Sequence, residues 1–251
     1  AAMVAVYAVA IQLSNLYIMF STAISGLFLP KVMAMVTRNE DRKVISDLFI
    51  RTGRIQFIVI AFVLAGFIIF GRQFILLWAG EGYENAYWIS LLFFIPLTVP
   101  LIQNLGITIL QARNEMKFRS ILYIIIAMVS LCISIPLAKF YGGIGCAIGT
   151  ALALIAGQVI VMNIYYYKKI YIDIPKFWRE IGRIAITPMI VGILWFLILE
   201  MMTIDVTFSL LVIEVLLFSS TYIPVTWFLS LNQYERNLFS SSVCAVMKKI
   251  R

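Results

Sequence analysis

The length of the apolar runs is the strongest constraint on this chain. A helix needs about 20 apolar residues to cross a hydrocarbon core of about 30 Å, and seven stretches of almost entirely uncharged residues approach or exceed that length. These stretches are residues 4–29, 55–71 (continuing past one arginine to 78), 86–112, 120–138, 140–167, 184–199 and 206–234. Backbone polar groups in lipid must be satisfied within the segment, which favours helices, and the runs lack the alternation of barrel strands. The sequence predicts an all-α, polytopic membrane helix bundle of about seven transmembrane helices.

Composition supports this fold class and excludes several chemistries. The chain is 63% hydrophobic and 13% charged, whereas soluble domains are about 45–50% apolar and about 25% charged. It contains no His, which excludes His-based zinc sites, Ser–His triads and His proton relays. Its cysteines, Cys132, Cys146 and Cys244, form no CxxC pair. The glycine-rich GGIGCAIG run lacks the spacing of a dinucleotide fingerprint. We therefore predict no metal and no cofactor.

The basic residues sort by loop, and this gives the orientation. Eighteen of the 20 fall in four alternate segments: the connections after the first, third and fifth spans, and the C-terminal tail. Positive charge marks cytoplasmic loops, so the N-terminus is predicted outside and the C-terminus in the cytoplasm. The net charge of +8 is then a topology signal, and a nucleic-acid partner is not expected. Amphipathic helices at the membrane surface are predicted for residues 40–55 and 232–251.

Polar side chains inside the first span mark a candidate site. Gln12 and Asn15 are three residues apart and share one helix face, which continues to Thr22. Polar side chains in a span usually face protein or water. Hydrogen bonding between helices and the wall of a polar cavity are both consistent with this pattern.

The third span combines two prolines with two amides. Pro96 and Pro100 lie one turn apart, and Gln103 and Asn104 follow at once. Each proline removes a backbone hydrogen bond, and broken helices beside polar groups are used by transporters to bend and bind. We expect a moving hinge at the prolines and substrate contacts at the amides; a static kink filled by a neighbour is the alternative.

Two further features have competing interpretations. Glu214 is the acid well inside a span, and such an acid is a candidate for proton or sodium coupling, unless it lies in water. Gly145, Gly149, Ala153 and Gly157 are spaced four apart, which predicts close packing against another helix.

Four stretches resemble one transporter family. VAVYAVAIQLSNLY (4–17), FGRQFILLWAGEGY (70–83), IPLTVPLIQNLGITILQA (95–112) and YGGIGCAIGTA (141–151) are similar to the C-terminal half of Wzx-type polysaccharide flippases. These belong to the superfamily of MATE-like multidrug, oligosaccharidyl-lipid and polysaccharide exporters. The resemblance covers about residues 4–170; residues 171–251 match in hydropathy alone.

The resemblance implies a fold, a partner and a substrate. Residues 1–170 would be five transmembrane helices of a C-terminal transporter lobe, and 171–251 two further helices with a cytoplasmic amphipathic tail. The N-terminal lobe of the same protein would be the missing partner, and membrane lipids the surroundings. The substrate would be a lipid-linked oligosaccharide, in which a polyprenyl diphosphate carries a repeat unit such as an O-antigen unit of lipopolysaccharide. It would be flipped across the bacterial cytoplasmic (inner) membrane.

The implied substrate assigns roles to particular side chains. The sugar would meet Gln12, Asn15, Gln103 and Asn104, and the diphosphate would meet cations. Cations on the cytoplasmic side are Arg54, Arg113, Lys117 and Arg119, among which Arg113 follows the amide-bearing third span directly.

Other functional classes remain open at this point. A MATE-like exporter of small organic cations would need acids deep in its cavity, and Glu214 is the candidate. A membrane-embedded polysaccharide polymerase or glycosyltransferase would need a large loop or clustered acids and cations, so we do not expect an enzyme. A seven-helix receptor and a non-transporting scaffold are the remaining alternatives.

Overall fold

The computed structural model describes residues 2–38, 40–201, 207–233 and 235–237, and these residues form helices and no strand. In chain order the α-helices are α1 (Ala2–Thr37), α2 (Arg42–Ala79), α3 (Asn85–Ile102), α4 (Leu105–Ala112), α5 (Lys117–Leu154), α6 (Met162–Tyr165), α7 (Ile174–Met201) and α8 (Phe208–Leu229). Wider π-helical turns at Ile155–Val161 and Tyr166–Ile170 flank α6 and make it continuous with α5.

Six helices in the described part of the chain are long and apolar enough to cross a membrane. One of them, Lys117–Ile170, folds back at Gly142, which has a left-handed φ of 59°. Its two arms, residues 117–141 and 143–170, carry the predicted spans 120–138 and 140–167. The prediction of an all-α polytopic bundle is confirmed, and the chain has the architecture of a multi-pass membrane protein.

The small-residue stripe holds the two arms of this hairpin together. A β-carbon added at Gly149 would lie 2.7 Å from the backbone nitrogen of Ser134, and one at Gly157 would overlap the side chain of Ile126. Across the same contact Ser134 Oγ donates to the carbonyl oxygen of Cys146 at 3.0 Å. The predicted close packing is therefore observed, with the other arm of the hairpin as partner.

The helices pack around two apolar clusters. The larger one contains residues from each of the helices α1 to α5, from the segment 162–172 and from the first half of α7. Phe177 of α7 is fully buried in it. The smaller one lies between α2, α7 and α8 and is centred on Phe218, which stacks against Phe62 with ring centroids 5.7 Å apart. Helix α2 thus belongs to both clusters and connects α7 and α8 to the rest of the bundle.

Two segments differ from the prediction. The third span, predicted as a helix broken at Pro96 and Pro100, is interrupted further along the chain, because α3 ends at Ile102 and α4 begins at Leu105. Residues 40–55 are not a separate helix on the membrane surface: from Arg42 onward they form the first turns of α2, with Ile45 and Phe49 buried against protein. Of the predicted amphipathic tail, residues 238–251 lie outside the described part of the chain.

The predicted cytoplasmic segments meet at one end of the bundle. Arg42 lies 4.2 Å above the ring of Tyr171, and Lys176 Nζ lies 2.8 Å from Asp47 Oδ1. The backbone N–H of Asp173 donates to Ser46 Oγ at 3.0 Å, and its carboxylate accepts from the N–H of Lys176, which caps α7. We call this the basic end of the bundle; the charge rule predicts that it faces the cytoplasm.

Candidate functional site

The break between α3 and α4 is closed by polar side chains from two neighbouring helices. Ser21 Oγ of α1 donates to the carbonyl oxygen of Leu101 at 2.6 Å. The Gln56 amide of α2 is oriented so that both its oxygen and its nitrogen have hydrogen-bond partners. Its nitrogen then donates to the carbonyl oxygens of Leu101 (3.3 Å) and Ile102 (3.0 Å). Both side chains are completely buried. Since the last carbonyls of a helix have no partner within it, these contacts stabilise the interrupted backbone.

The two amides predicted to bind substrate lie at this break and face the protein interior. Gln103 is 2% exposed and donates through Nε2 to Asn163 Oδ1 at 2.9 Å. Asn104 is 8% exposed and donates through Nδ2 to Ser25 Oγ at 3.0 Å and Ser21 Oγ at 3.3 Å. In this conformation they join helices, and they would meet a substrate only after α3 and α4 move relative to α1.

The interruption does not coincide with the prolines. Pro96 is buried, Pro100 is half-buried, and both lie within α3, which remains helical to Ile102. Because neither proline has an N–H, α3 lacks two internal hydrogen bonds just before the break. The third span thus has two irregularities, the proline-containing end of α3 and the interruption at Gln103–Asn104, and a moving hinge at Pro96 and Pro100 stays a prediction.

Helix α1 presents polar side chains on the outside of the bundle. Gln12, Asn15 and Thr22, which we call the outer stripe, are all exposed. The opposite face carries Tyr17, Ser21 and other residues buried against α3 and α4. The outer stripe is therefore not used to join α1 to the helices of this bundle.

Arg113 lies in a third setting, at the basic end. It lines a polar cavity of ≈ 580 Å³ together with Val36, Glu40, Asp41, Arg42, Ile45 and Glu115. The five residues predicted to bind substrate are thus distributed over the outer stripe, the buried break and this cavity.

A buried ion cluster was missed by the sequence reasoning. Arg54 Nε lies 2.6 Å from Glu235 Oε1, and Arg54 Nη1 lies 2.6 Å from Glu180 Oε2. Nη2 donates to the carbonyl oxygen of Ser230 at 3.2 Å. The side chains of Arg54 and Glu235 are 6% and 1% exposed. Because two carboxylates satisfy the guanidinium, Arg54 is not the free cation that the sequence offered for a diphosphate.

One local pattern could have revealed part of this cluster. The backbone N–H of Glu235 donates to Asn232 Oδ1, and that of Asn232 donates to Glu235 Oε2, both at 2.9 Å. This reciprocal pair is a capping box, recognisable from the three-residue spacing. The pairing of Glu235 with Arg54 had no sequence signal, since the two are 181 positions apart.

Glu214 lies on the buried face of α8 with Leu211, Phe218 and Tyr222. It is 5% exposed, and neither of its carboxylate oxygens has a hydrogen-bond partner among the described residues. The predicted intramembrane acid is therefore enclosed by the α2, α7 and α8 cluster and does not face open space.

Between α2 and α7 runs an almost wholly apolar groove of ≈ 510 Å³. Its walls include Phe57, Leu64 and Ile68 of α2 and Pro188, Gly192 and Phe196 of α7. The groove approaches the ion cluster at its end near the basic loops, since Arg54 precedes Phe57 by one helical turn.

Comparisons with protein-family models, with curated proteins and with solved structures find no match for this chain. Within the described residues no group of three or more Cys, Asp or Glu is placed to hold a metal ion. The function is therefore argued from the geometry.

Proposed function

We propose that this chain is the C-terminal part of a flippase that moves a polyprenyl-diphosphate-linked oligosaccharide across a bacterial cytoplasmic membrane. The outer stripe of α1 carries the proposal. Amide side chains at membrane depth are unfavourable against hydrocarbon and almost always face protein or water. Gln12 and Asn15 are exposed on the outside of this bundle. A second lobe facing α1, with a polar pathway between the two lobes, would give both amides the polar surroundings that they need.

The apolar groove between α2 and α7 supports an amphiphilic substrate. An isoprenoid chain is as apolar as the walls of this groove and can remain in the membrane while the sugar follows a polar route. The same bundle thus offers a polar surface, the outer stripe of α1, and an apolar surface, the groove between α2 and α7. A substrate with a polar head and a long apolar tail matches both surfaces, whereas a small hydrophilic solute would use one.

Movement is assigned to the α3–α4 break. Alternating access rocks one lobe against the other around a central site, and a helix that lacks internal hydrogen bonds bends at low energetic cost. Opening the break would bring Gln103 and Asn104 toward the pathway. Arg113, in the cavity at the basic end, is the proposed contact for the diphosphate. Such transport makes and breaks no covalent bond, so the proposal includes no enzymatic step, cofactor or metal.

The test is repeat-unit export per membrane-inserted molecule, measured in cells that depend on the protein containing this chain. We expect Gln12→Leu and Asn15→Leu each to lower specific export several-fold at normal abundance, since a hydrogen bond is worth about 1 kcal/mol and 1.4 kcal/mol is a factor of ten. Phe20→Leu, at an exposed apolar position of α1, is the matched control. Normal specific export in both stripe variants would remove α1 from the pathway and contradict the proposal.

The second candidate is a MATE-like exporter of organic cations, and Glu214 is the observation that favours it. A buried acid with unpaired oxygens can bind a cation, or can couple transport of another substrate to a proton or sodium ion. Glu214→Gln separates the two functions. Lost coupling with sugar-lipid export retained at reduced rate supports the flippase, whereas lost cation efflux in a strain with normal sugar export supports the exporter.

A further inference from the structure

A small polar cavity lies beside Pro100, where the end of α3 meets the hairpin. Its volume is ≈ 10 Å³, and its lining comes from α3, α4 and both arms of the hairpin. The polar members are Gln103, Arg119, Gln158 and Tyr166. Gln158 lies in the π-helical turn Ile155–Val161, and turns of this kind are frequent at functional positions.

Three of these lining residues each carry a buried polar atom that has no hydrogen-bond partner within the part of the chain that the structure describes: Gln103 Oε1, Arg119 Nε and Gln158 Nε2. Two of these side chains, Gln103 and Arg119, already make a hydrogen bond through another nitrogen atom. Gln103 Nε2 donates to Asn163 Oδ1, and Arg119 Nη2 donates to Tyr123 Oη. Leaving one such atom unsatisfied is unfavourable, and here three belong to residues that line the same cavity.

We infer that this cavity binds one water molecule, which bridges Gln103, Arg119 and Gln158. Its oxygen accepts from Arg119 Nε and Gln158 Nε2, and one of its hydrogens is donated to Gln103 Oε1. Buried waters typically make about three such bonds, and a cavity of about 10–15 Å³ accommodates one molecule. The size and the donor–acceptor set of the cavity therefore agree on the same ligand.

Ions fit this cavity less well. A cation would face the N–H groups of Arg119 and Gln158. An anion would face Gln103 Oε1, and the Gln103 amide cannot turn its nitrogen inward without losing its bond to Asn163. Chloride is also larger than water. Of the three ligands, water matches the two donors and one acceptor, and the Tyr166 hydroxyl on the same lining is compatible with it because a hydroxyl can donate or accept.

The bridge would give the interrupted third span a third attachment. Ser21 and Gln56 hold the break from α1 and α2, and the water would hold it from the hairpin. A water-mediated contact can break and re-form without leaving a side chain permanently unpaired. This inference concerns the static contact and does not depend on the proposed transport activity.

A double-mutant cycle on the purified full chain in detergent tests the bridge through thermal unfolding. Gln158→Met should lower the midpoint by about 2–4 °C, the shift for one lost polar contact in a chain of this size. In the Gln103→Met background the same replacement should have little further effect, because the bridge is already broken. Gln111→Met, at an exposed glutamine of α4, is the control and should change the midpoint little.

An undiminished effect of Gln158→Met in the second background, or no effect in either, would overturn the inference. A density map that resolves ordered waters provides the direct measurement. We expect one peak within about 3.2 Å of all three atoms. A direct hydrogen bond between Gln103 and Gln158 with no peak between them would also overturn it, even if the cycle were non-additive.

Discussion

Arg54 is the residue whose replacement should affect this fold most. It joins α2 to Glu180 of α7 and to Glu235 beyond α8; the side chains of Arg54 and Glu235 are buried, and that of Glu180 is 26% exposed. Removing one member of a buried ion cluster leaves the other charges uncompensated, which destabilises by about 3–5 kcal/mol. The Arg54 guanidinium also binds Glu235 bidentately, through Nε to Oε1 at 2.6 Å and through Nη2 to Oε2 at 3.1 Å, a planar fork that an ammonium group cannot reproduce.

We therefore expect Arg54→Met to lower the stability of the chain by about 3–5 kcal/mol, measured as thermal unfolding and as membrane-inserted abundance. Arg183→Met is the matched control: Arg183 lies 3.7 Å from Glu180 and its side chain is 72% exposed, and exposed pairs contribute about 0–1 kcal/mol. Neutralising the acids as well, with Glu180→Gln and Glu235→Gln, should restore part of the loss. Equal effects of Arg54→Met and Arg183→Met would show that the cluster contributes little.

At the scale of elements, the hairpin depends on the absence of a side chain at Gly149. A β-carbon there would lie 2.7 Å from a backbone atom of Ser134, and backbone yields less readily than a flexible side chain. Gly149→Ala should lower stability by about 1–3 kcal/mol because the arms must separate. Gly182→Ala in α7 has nothing within 4 Å of the new methyl and should be neutral or raise stability by up to about 1 kcal/mol. Thermal unfolding of the two variants should therefore shift in opposite directions or by clearly different amounts, and equal losses would contradict the close packing.

The prolines of α3 give a second element-scale prediction. Pro96→Ala with Pro100→Ala supplies two backbone N–H groups and should stiffen the end of α3. The break itself should persist, since Ser21 and Gln56 still bind its carbonyls. In the full-length protein we expect slower export with nearly unchanged insertion and abundance. Lower abundance with normal export per inserted molecule would instead identify the prolines as packing elements.

The sequence predicted the helices well because their requirement is local. A long apolar run must satisfy its own backbone, and the glycine spacing at 145, 149 and 157 specifies a close helix contact without naming the partner. The break at Gln103–Asn104 was not predicted as a helix end, because what holds it open is supplied by Ser21 and Gln56 from other helices. Pairings such as Gln103 with Asn163 depend on how helices pack, which hydropathy does not encode.

The candidate site was likewise predicted in part: the sequence indicated which residues share a helix face, but not what that face contacts. Gln12 and Asn15 were predicted as polar members of one face, and that face is the outer stripe. Gln103 and Asn104 were grouped with them as substrate contacts, yet burial separates the two pairs in this conformation. Periodicity places residues on a face, but it does not determine whether that face meets protein or open space.

For the whole molecule, the convergence of the charged loops at one end yields a topology prediction. Single cysteines at Asn114 and at Lys176 should be labelled from the cytoplasmic side, and one at Gly82 from the outside, in a background without the native cysteines. The reason is the concentration of basic residues at one end of the bundle. Labelling of the Asn114 position in intact cells by an impermeant reagent would reverse the orientation and contradict the flippase proposal with it.

The ion cluster also has a consequence in time. Arg54 and Glu235 are separated by 181 positions, and chains are synthesised at about 5–20 residues per second, so Glu235 follows Arg54 by roughly 9–36 s. Glu180 follows Arg54 by 126 positions, or roughly 6–25 s at the same rate, so for that time the guanidinium has neither acid to pair with. An unpaired arginine is costly away from water, and Arg54 lies toward the basic end of the bundle, where it can stay hydrated until both acids have been made. The docking of α7 and α8 that encloses Arg54 is then a late step for this part of the fold, because it can be completed only after Glu235 has been synthesised.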